Sequence, residues 1–544
     1  MANHMATLNH VLMKFRLFFL TFILFCFLIA CASPATSISP TLEPSPIPQP
    51  LTGTWMGSAQ TLDGTVNSII INFDESTLQV EPFTKTWDIS PSQTDSEIQI
   101  SVEGKDRDSF QKIEFTGSFT NDTMLGSYGV PSDSLILTGN IVFDGQSSET
   151  IFLPIVSLAK DDYEKYEGVY RFDSGRALSI IVSPEFTASG LTFFSNTLML
   201  TDFESGALRS LYPVTESTFY IGVKRDIGAP FDGRIEFVKD EAGNVIGLHQ
   251  WQNPHEIFSS PEPAEYATRI EYKIEDGVSF ISEDGTKLAG RLSLPISDKP
   301  VPAIMGLHGS EPGTRNNFGA KVMAHYMVSQ GIAILNYDKR GVGESEGKYQ
   351  EAASPANLQR HADDANAGVQ YLLTRPEIDA EKIGLIGFSQ AGWIIPLAAS
   401  QSSDISFFVN LSGPVASFGQ EDKFSAYTDD SYTAREYDDD IITQQLREMN
   451  PSGFNPLPII AELNQKGLWL WGSVDKSVPT TFSAENLQTI IDSGKDNFSY
   501  QIFPNGDHNL NLSPNGYFSE IPYSPQVLFY SFLKQWLEQN IISQ

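Results

Sequence analysis

Hydrophobic and polar positions follow three successive patterns along the chain. From Leu51 to about Val156, short β-branched and aromatic runs such as Asn67-Ser68-Ile69-Ile70-Ile71-Asn72-Phe73 alternate with clusters of Asp, Gly, Ser and Asn. Period-two alternation between turn residues predicts short antiparallel strands in a meander, sandwich or small barrel. A second β-rich stretch runs from near Tyr163 to Ser260 and opens with Tyr166-Glu167-Gly168-Val169-Tyr170-Arg171-Phe172. It closes on Ile235-Glu236-Phe237-Val238, a turn over Asp240 to Asn244, and Val245-Ile246-Gly247-Leu248, a hairpin pattern. Beyond Tyr266, apolar strands alternate with helical stretches. Strands fall at Pro302–Leu307, Ile332–Asn336, Lys382–Ile386, Leu468–Trp471 and Phe498–Phe503, and helices at Asp363–Leu373, Gln390–Ala399 and Pro525–Leu537. That alternation predicts a mostly parallel sheet with helices on both faces. The expectation is a multidomain chain: one or two all-β modules at 51–158 and 159–262, then an α/β unit at 263–544 with a cap insertion at about 413–463.

The N-terminus carries its own pattern. Lys14 and Arg16 precede Leu17 to Ala30, an uncharged apolar run too short to span a bilayer comfortably. Residues 1–30 therefore read as a signal peptide, for which Met13 offers a compact alternative start. Leu28-Ile29-Ala30-Cys31 resembles a bacterial lipobox, and the resemblance implies acylation at Cys31. A plain secretory signal and a buried helix with a chance cysteine are the other readings. Residues 31–50, rich in Pro, Ser and Thr, then form an extended tether. The expected location is the cell envelope, on the exported side of a membrane and held by lipid, with the leaflet left open.

Composition narrows the partners. With 35 basic and 67 acidic residues, the formal net charge of -32 repels a phosphate backbone and excludes nucleic-acid binding as the expected role. Both cysteines, Cys26 and Cys31, fall in the first 31 residues, so the folded part has no disulfide framework. Neither a phosphate-binding lysine loop nor a His-Glu-x-x-His motif occurs, and His249 and His255 lack ligand spacing. No cofactor and no metal are expected, and the oligomeric state stays open.

The candidate chemistry sits in Ile383-Gly384-Leu385-Ile386-Gly387-Phe388-Ser389-Gln390-Ala391-Gly392-Trp393, a buried strand running through Gly-x-Ser into an apolar helix. It resembles the nucleophile elbow of the α/β-hydrolases. Small residues flank such a serine because the turn is too tight for side chains. Here Ala391 stands where glycine is usual and Gly392 follows, which predicts slightly looser helix–strand packing.

A serine hydroxyl needs a base, and the family order is Ser, acid, His. His508 is the one histidine after Ser389. The resemblance makes Asp475, in Gly472-Ser473-Val474-Asp475-Lys476-Ser477-Val478-Pro479, the acid that orients it, with Asp507 as the rival. For the oxyanion hole it implies the backbone N–H groups of Gln390 and of Ser310, the latter in Leu307-His308-Gly309-Ser310. His308 is expected to brace that loop. Asn336-Tyr337-Asp338-Lys339-Arg340-Gly341-Val342-Gly343-Glu344-Ser345 resembles the family's Asp-x-Arg-Gly-x-Gly-x-Ser loop, in which Asp338 and Arg340 support the site. Gln420 to Glu448, with nine acidic and three basic residues, reads either as a mobile lid or as an ordinary solvated helix pair.

Taken together these motifs make residues 265–544 resemble a bacterial α/β-hydrolase of the dienelactone-hydrolase, prolyl-oligopeptidase-like and serine-aminopeptidase-like group. The β-rich stretch ahead of it is similar to lipocalin-like modules appended to some bacterial serine hydrolases. The implied activity is acyl transfer on a small-molecule carboxylic ester or related acyl substrate through an acyl-enzyme. A serine peptidase and a non-catalytic envelope-binding lipoprotein are the alternatives.

Overall fold

The computed structural model describes residues 52–543, apart from 61–65, 81–85, 95–96, 104–111, 121–135, 157, 184–185, 189–190, 194–196, 223–232, 253–264, 351–352, 430–437 and 518–525. The signal peptide, Cys31, the tether and His255 lie outside the described residues.

The first β module is a nine-stranded antiparallel sheet spanning Thr54–Gln60 to Gln146–Ile155. Alternation of burial is clean in Ile98–Glu103, where Ile98, Ile100 and Val102 face the core and the intervening residues face water. The first strand pairs with both the second and the ninth, and the sheet ends at the fourth and fifth strands. A meander of this order resembles a barrel left unzipped between its fourth and fifth strands.

The second module does close. Eight strands from Gly168–Phe172 to Glu265–Ile270 form a barrel around Tyr170, Phe219, Phe237 and Leu248. The closing strand, Glu265–Ile270, pairs with both Val245–Gln252 and Gly168–Phe172. The expected boundary at 262 is therefore corrected to Ile270. The sequence conceals it because Glu271 alone separates the barrel's last strand from the next one, at Tyr272.

The C-terminal half is an eight-stranded sheet of β1 (Tyr272–Ile281), β2 (Lys287–Pro295), β3 (Val301–Leu307), β4 (Ala333–Tyr337), β5 (Ile378–Phe388), β6 (Phe407–Leu411), β7 (Lys466–Gly472) and β8 (Phe498–Phe503). Their order is β1-β2-β4-β3-β5-β6-β7-β8. From β4 onward neighbours are parallel, and β4 and β6 are buried at every position, which is why they read as continuous apolar runs. Helices α1 (Phe318–Ser329), α2 (Pro355–Leu373), α3 (Ala391–Gln401), α4 (Phe418–Thr428), α5 (Asp439–Glu448), α6 (Leu457–Glu462), α7 (Thr480–Asp492) and α8 (Phe529–Leu537) complete it. One core layer joins α2, α3 and α7 to the sheet, and another joins α1 and α8 to its opposite face. Helix α2 begins well before the expected Asp363, because Ser354 caps Asn357 N–H and Pro355 fixes the first turn.

The barrel wall shares the second of these layers. Val169, Ala177, Ile181 and Phe203 pack with Tyr326 of α1 and Tyr530 of α8, the Phe203 ring lying 5.2 and 5.0 Å from those two rings. Ser179 Oγ meets His325 Nδ1 at 2.7 Å, and burial pushes that imidazole down to about 3, so it is neutral.

Candidate active site

The serine is presented by a bend that its own backbone strains to make. Ser389 has φ of +55°, a left-handed conformation that costs a non-glycine residue about 1 kcal/mol or more. The bend is held by Ser389 N–H to Leu411 O at 2.9 Å and Gly392 N–H to Ser389 O at 2.8 Å. Helix α3 starts two residues later, so its positive end faces the serine.

The expected loosening around Ala391 does not occur. Ala391 is fully buried, and a β-carbon at Gly387 would lie 2.4 Å from its methyl group. Gly387 thus makes room for Ala391. Gly392 instead passes the Gly413 backbone, where a side chain would approach to 2.5 Å.

Asp475 follows β7 and His508 follows β8, both at the carboxyl edge of the sheet where β5 delivers Ser389. His508 Nδ1 contacts Asp475 Oδ2 at 2.9 Å. The other oxygen of Asp475 accepts from Ser477 N–H at 2.8 Å and Val478 N–H at 2.9 Å. Three donors on one buried carboxylate fix the imidazole's tautomer and orientation through its Nδ1. The Phe388 ring, next to Ser389, lies 4.9 Å from the His508 ring.

Asp507, the rival acid, has another task. Its Oδ1 accepts from Asn509 N–H at 2.9 Å and Asn511 N–H at 2.8 Å, tying the loop that carries His508. Burial pushes its carboxyl up to about 6 against these hydrogen bonds, with the Asp475 charge adding to the rise.

The loop after β3 approaches from the other side. A β-carbon at Gly309 would lie 3.3 Å from Ser389 Cβ and 3.4 Å from Phe388 O, so this loop passes close against the serine. His308 is buried, its Nε2 2.7 Å from Tyr337 O and its Nδ1 3.5 Å from Glu311, which makes it a brace. Asp338 accepts from Arg315 N–H and Glu344 N–H, both at 2.9 Å, and pairs with the Arg315 guanidinium. Arg340 binds Asp364 through two nitrogens at 2.9 and 2.6 Å and Asp284 at 2.8 Å. Both motif residues therefore tie loops together without lining the cleft.

That cleft, about 200 Å³, is lined by Ser389, Gln390 and Ser310 and walled by Trp393, Phe418, Pro414, Ala353 and Val478, with Glu421 the charged group at its wall. The residues at 413–463 that separate β6 from β7 hold α4, α5 and α6. Phe424, Ile442 and Leu446 of this cap pack on Phe482 of α7. Gln420 Nε2 ties α4 to α5 through Leu446 O at 3.1 Å, and Arg447 pairs with Glu485.

Sequence reasoning missed Arg315, Asp364 and the apolar walls, Trp393, Phe418 and Val478. The carboxylate partners of Arg340 lie 56 and 24 positions away, and only the fold brings them together. His249 packs between Trp251 and Tyr266. Among the described residues no group of three or more His, Cys, Asp or Glu side chains is placed to hold a metal ion.

Comparison with known proteins gives a consistent picture. Residues 318–539 match the prolyl oligopeptidase family. A thiohydrolase of Aspergillus aculeatus is 34% identical over 122 residues, 22% of this chain and 36% of that protein. Human dipeptidyl peptidase 8 is 26% identical over 247 residues, 44% of this chain and 26% of its own. An esterase of Thermotoga maritima is 30% identical over 149 residues, 25% of this chain and 34% of that protein. The chain thus spans about a quarter to a third of the length of these relatives.

Proposed function

We propose that this chain, whose C-terminal half is an α/β-hydrolase carrying a prolyl oligopeptidase family domain, is a serine hydrolase that cleaves a carboxylic ester through Ser389, His508 and Asp475. The observation that carries the reading is the 2.9 Å contact between His508 and Asp475 at the sheet edge where the strained Ser389 emerges. Ser389 Oγ attacks the substrate carbonyl while His508 Nε2 takes its proton. Asp475 holds the imidazolium that forms. The N–H groups of Gln390 and Ser310 receive the charge on the carbonyl oxygen. Collapse expels the alcohol, which takes the proton from His508. Water then repeats the sequence on the acyl-enzyme and releases the acid.

An ester is favoured over a peptide by the small size of the cleft, whose Trp393, Phe418, Pro414 and Val478 walls suit a short acyl group. Ser389→Ala is expected to abolish turnover of short p-nitrophenyl esters and fluorophosphonate labelling while leaving the thermal midpoint within a few degrees. Full turnover by that variant sinks the assignment. A peptidase is the second reading, favoured by the 247-residue match to dipeptidyl peptidase 8. It predicts faster cleavage of aminoacyl or prolyl p-nitroanilides than of esters. A binding lipoprotein without activity predicts no labelling of the wild-type chain.

We further place the protein on the exported side of a membrane, anchored through acyl chains on Cys31. Support comes from the apolar run and small residue ahead of that cysteine. Cys31→Ser should move the protein from the membrane fraction to the soluble one.

A further inference from the structure

A peptide unit is planar and trans, so its N–H points away from its C=O. Whatever grips a carbonyl therefore aims the N–H on the far side of the same plane. The Gly309 carbonyl is gripped by the ammonium of Lys339 at 2.6 Å. The N–H of that unit belongs to Ser310, which lines the cleft with Ser389 and Gln390. Among the described residues no acceptor takes the Ser310 N–H.

The neighbouring units are held alike. The Tyr349 hydroxyl donates to Ser310 O, and Lys339 Nζ also reaches Glu311 O at 3.3 Å. Three successive carbonyls are drawn to side chains of one segment, the loop that follows β4. Lys339 itself is 1% exposed, with its Nζ 5.5 Å from the centre of the Tyr349 ring. Its backbone N–H is fixed to Gly313 O at 3.0 Å, at the far end of the same loop. Burying an ammonium costs several kcal/mol unless strong acceptors receive it. In this fold those acceptors include the carbonyls of the oxyanion loop. A cation on a carbonyl oxygen also polarises the amide, making its N–H a stronger donor.

We propose that Lys339 is a positioning residue that orients and polarises the Ser310 N–H toward the oxyanion of the acyl-transfer transition state. The inference rests on the serine-hydrolase reading and assigns a task to the one position of the Asp338-Lys339-Arg340 triplet that the motif leaves unspecified. It requires that loss of the ammonium weaken the transition state and spare substrate binding.

The experiment compares wild type, Lys339→Met and Lys339→Arg on a p-nitrophenyl ester, and measures the affinity of an aryl trifluoromethyl ketone and of the matching methyl ketone. The trifluoromethyl ketone adds to the serine and places an oxyanion in the hole, whereas the methyl ketone stays a ground-state ligand. Lys339→Met is expected to lower kcat roughly 10- to 100-fold, less than the ~10²–10³ lost when a donor is deleted outright. KM should stay within about twofold. Trifluoromethyl ketone affinity should fall by the same factor as kcat/KM, methyl ketone affinity should hold, and Lys339→Arg should recover part of the loss.

Unchanged trifluoromethyl ketone affinity overturns the proposal. So does a parallel loss for both ketones, which marks a role in folding alone. If Lys339→Met does not fold, Tyr349→Phe tests the same geometry. It should lower kcat several-fold at constant KM, and an unchanged kcat counts against the pinned-carbonyl argument. A wild-type chain inert to fluorophosphonate would refute the serine-hydrolase reading itself, a result separate from wild-type labelling with normal Lys339→Met behaviour.

Discussion

Two aspartates one loop apart divide the labour around His508, and their environments say how. Asp475 receives three hydrogen bonds, one of them from the imidazole, so Asp475→Asn should disturb the tautomer and lower kcat by roughly 10³–10⁴-fold. Stopped-flow acylation with a chromogenic ester measures it. Asp507 accepts from the backbone N–H groups of Asn509 and Asn511, and its carboxyl is raised from 3.8 to about 6, chiefly by burial. The folded chain therefore holds that proton to higher pH than the unfolded chain does. Its contribution to stability is greatest below about pH 4 and is lost as pH rises through about 6. Asp507→Asn keeps the acceptor and cannot ionise. Urea unfolding of that variant should show a flatter pH dependence between 4 and 6, and at pH 7 a gain of up to about 2–3 kcal/mol. A variant as pH-sensitive as wild type would refute this. At this scale the strained bend at Ser389 and the contact of His508 with Asp475 were legible because the motifs fix side-chain identity in a set order. The grip of Lys339 on Gly309 was not, because a backbone carbonyl leaves no trace in a sequence.

Among the elements, the junction of β5 with α3 carries the most constrained packing. The methyl of Ala391 occupies the space that Gly387 vacates, so Gly387→Ala should cost several kcal/mol by overpacking. Adding Ala391→Gly to it should restore much of the loss. Thermal unfolding of the two single variants and the double decides the matter, and simple additivity would show that the residues do not share that space. The departure from Gly-x-Ser-x-Gly was visible in the sequence. Its compensation was not, since nothing along the chain says that positions 387 and 391 meet face to face. Strands β3, β5, β7 and β8 were readable from apolar runs. The cap resisted reading because its acidic exterior masks Phe424, Ile442 and Leu446, which face Phe482. The exposed Arg447–Glu485 pair should matter little there, with Arg447→Ala leaving the urea midpoint close to that of wild type.

Across the whole molecule, the barrel and the α/β unit share an apolar layer, so the barrel acts as part of that unit's support. Phe203, 6% exposed, is its contribution between Tyr326 and Tyr530. Phe203→Ala should cost about 3–5 kcal/mol and lower the unfolding midpoints of barrel and hydrolase together. Separate transitions, with only the barrel shifted, would contradict a shared core. Sequence patterning told the two architectures apart, but it put their border at 262. A border is found by breakers, and Ile270-Glu271-Tyr272 contains none.

That near-continuity governs how the molecule can be cut. Excising the C-terminal half at residue 263 carries along Glu265–Ile270, a ribbon whose two pairing partners stay behind. Its bare amides then become a template for intermolecular stacking, and the barrel left behind gapes by one stave. A clean cut falls at Glu271, and even there the exposed faces of Tyr326 and Tyr530 would need a new cover.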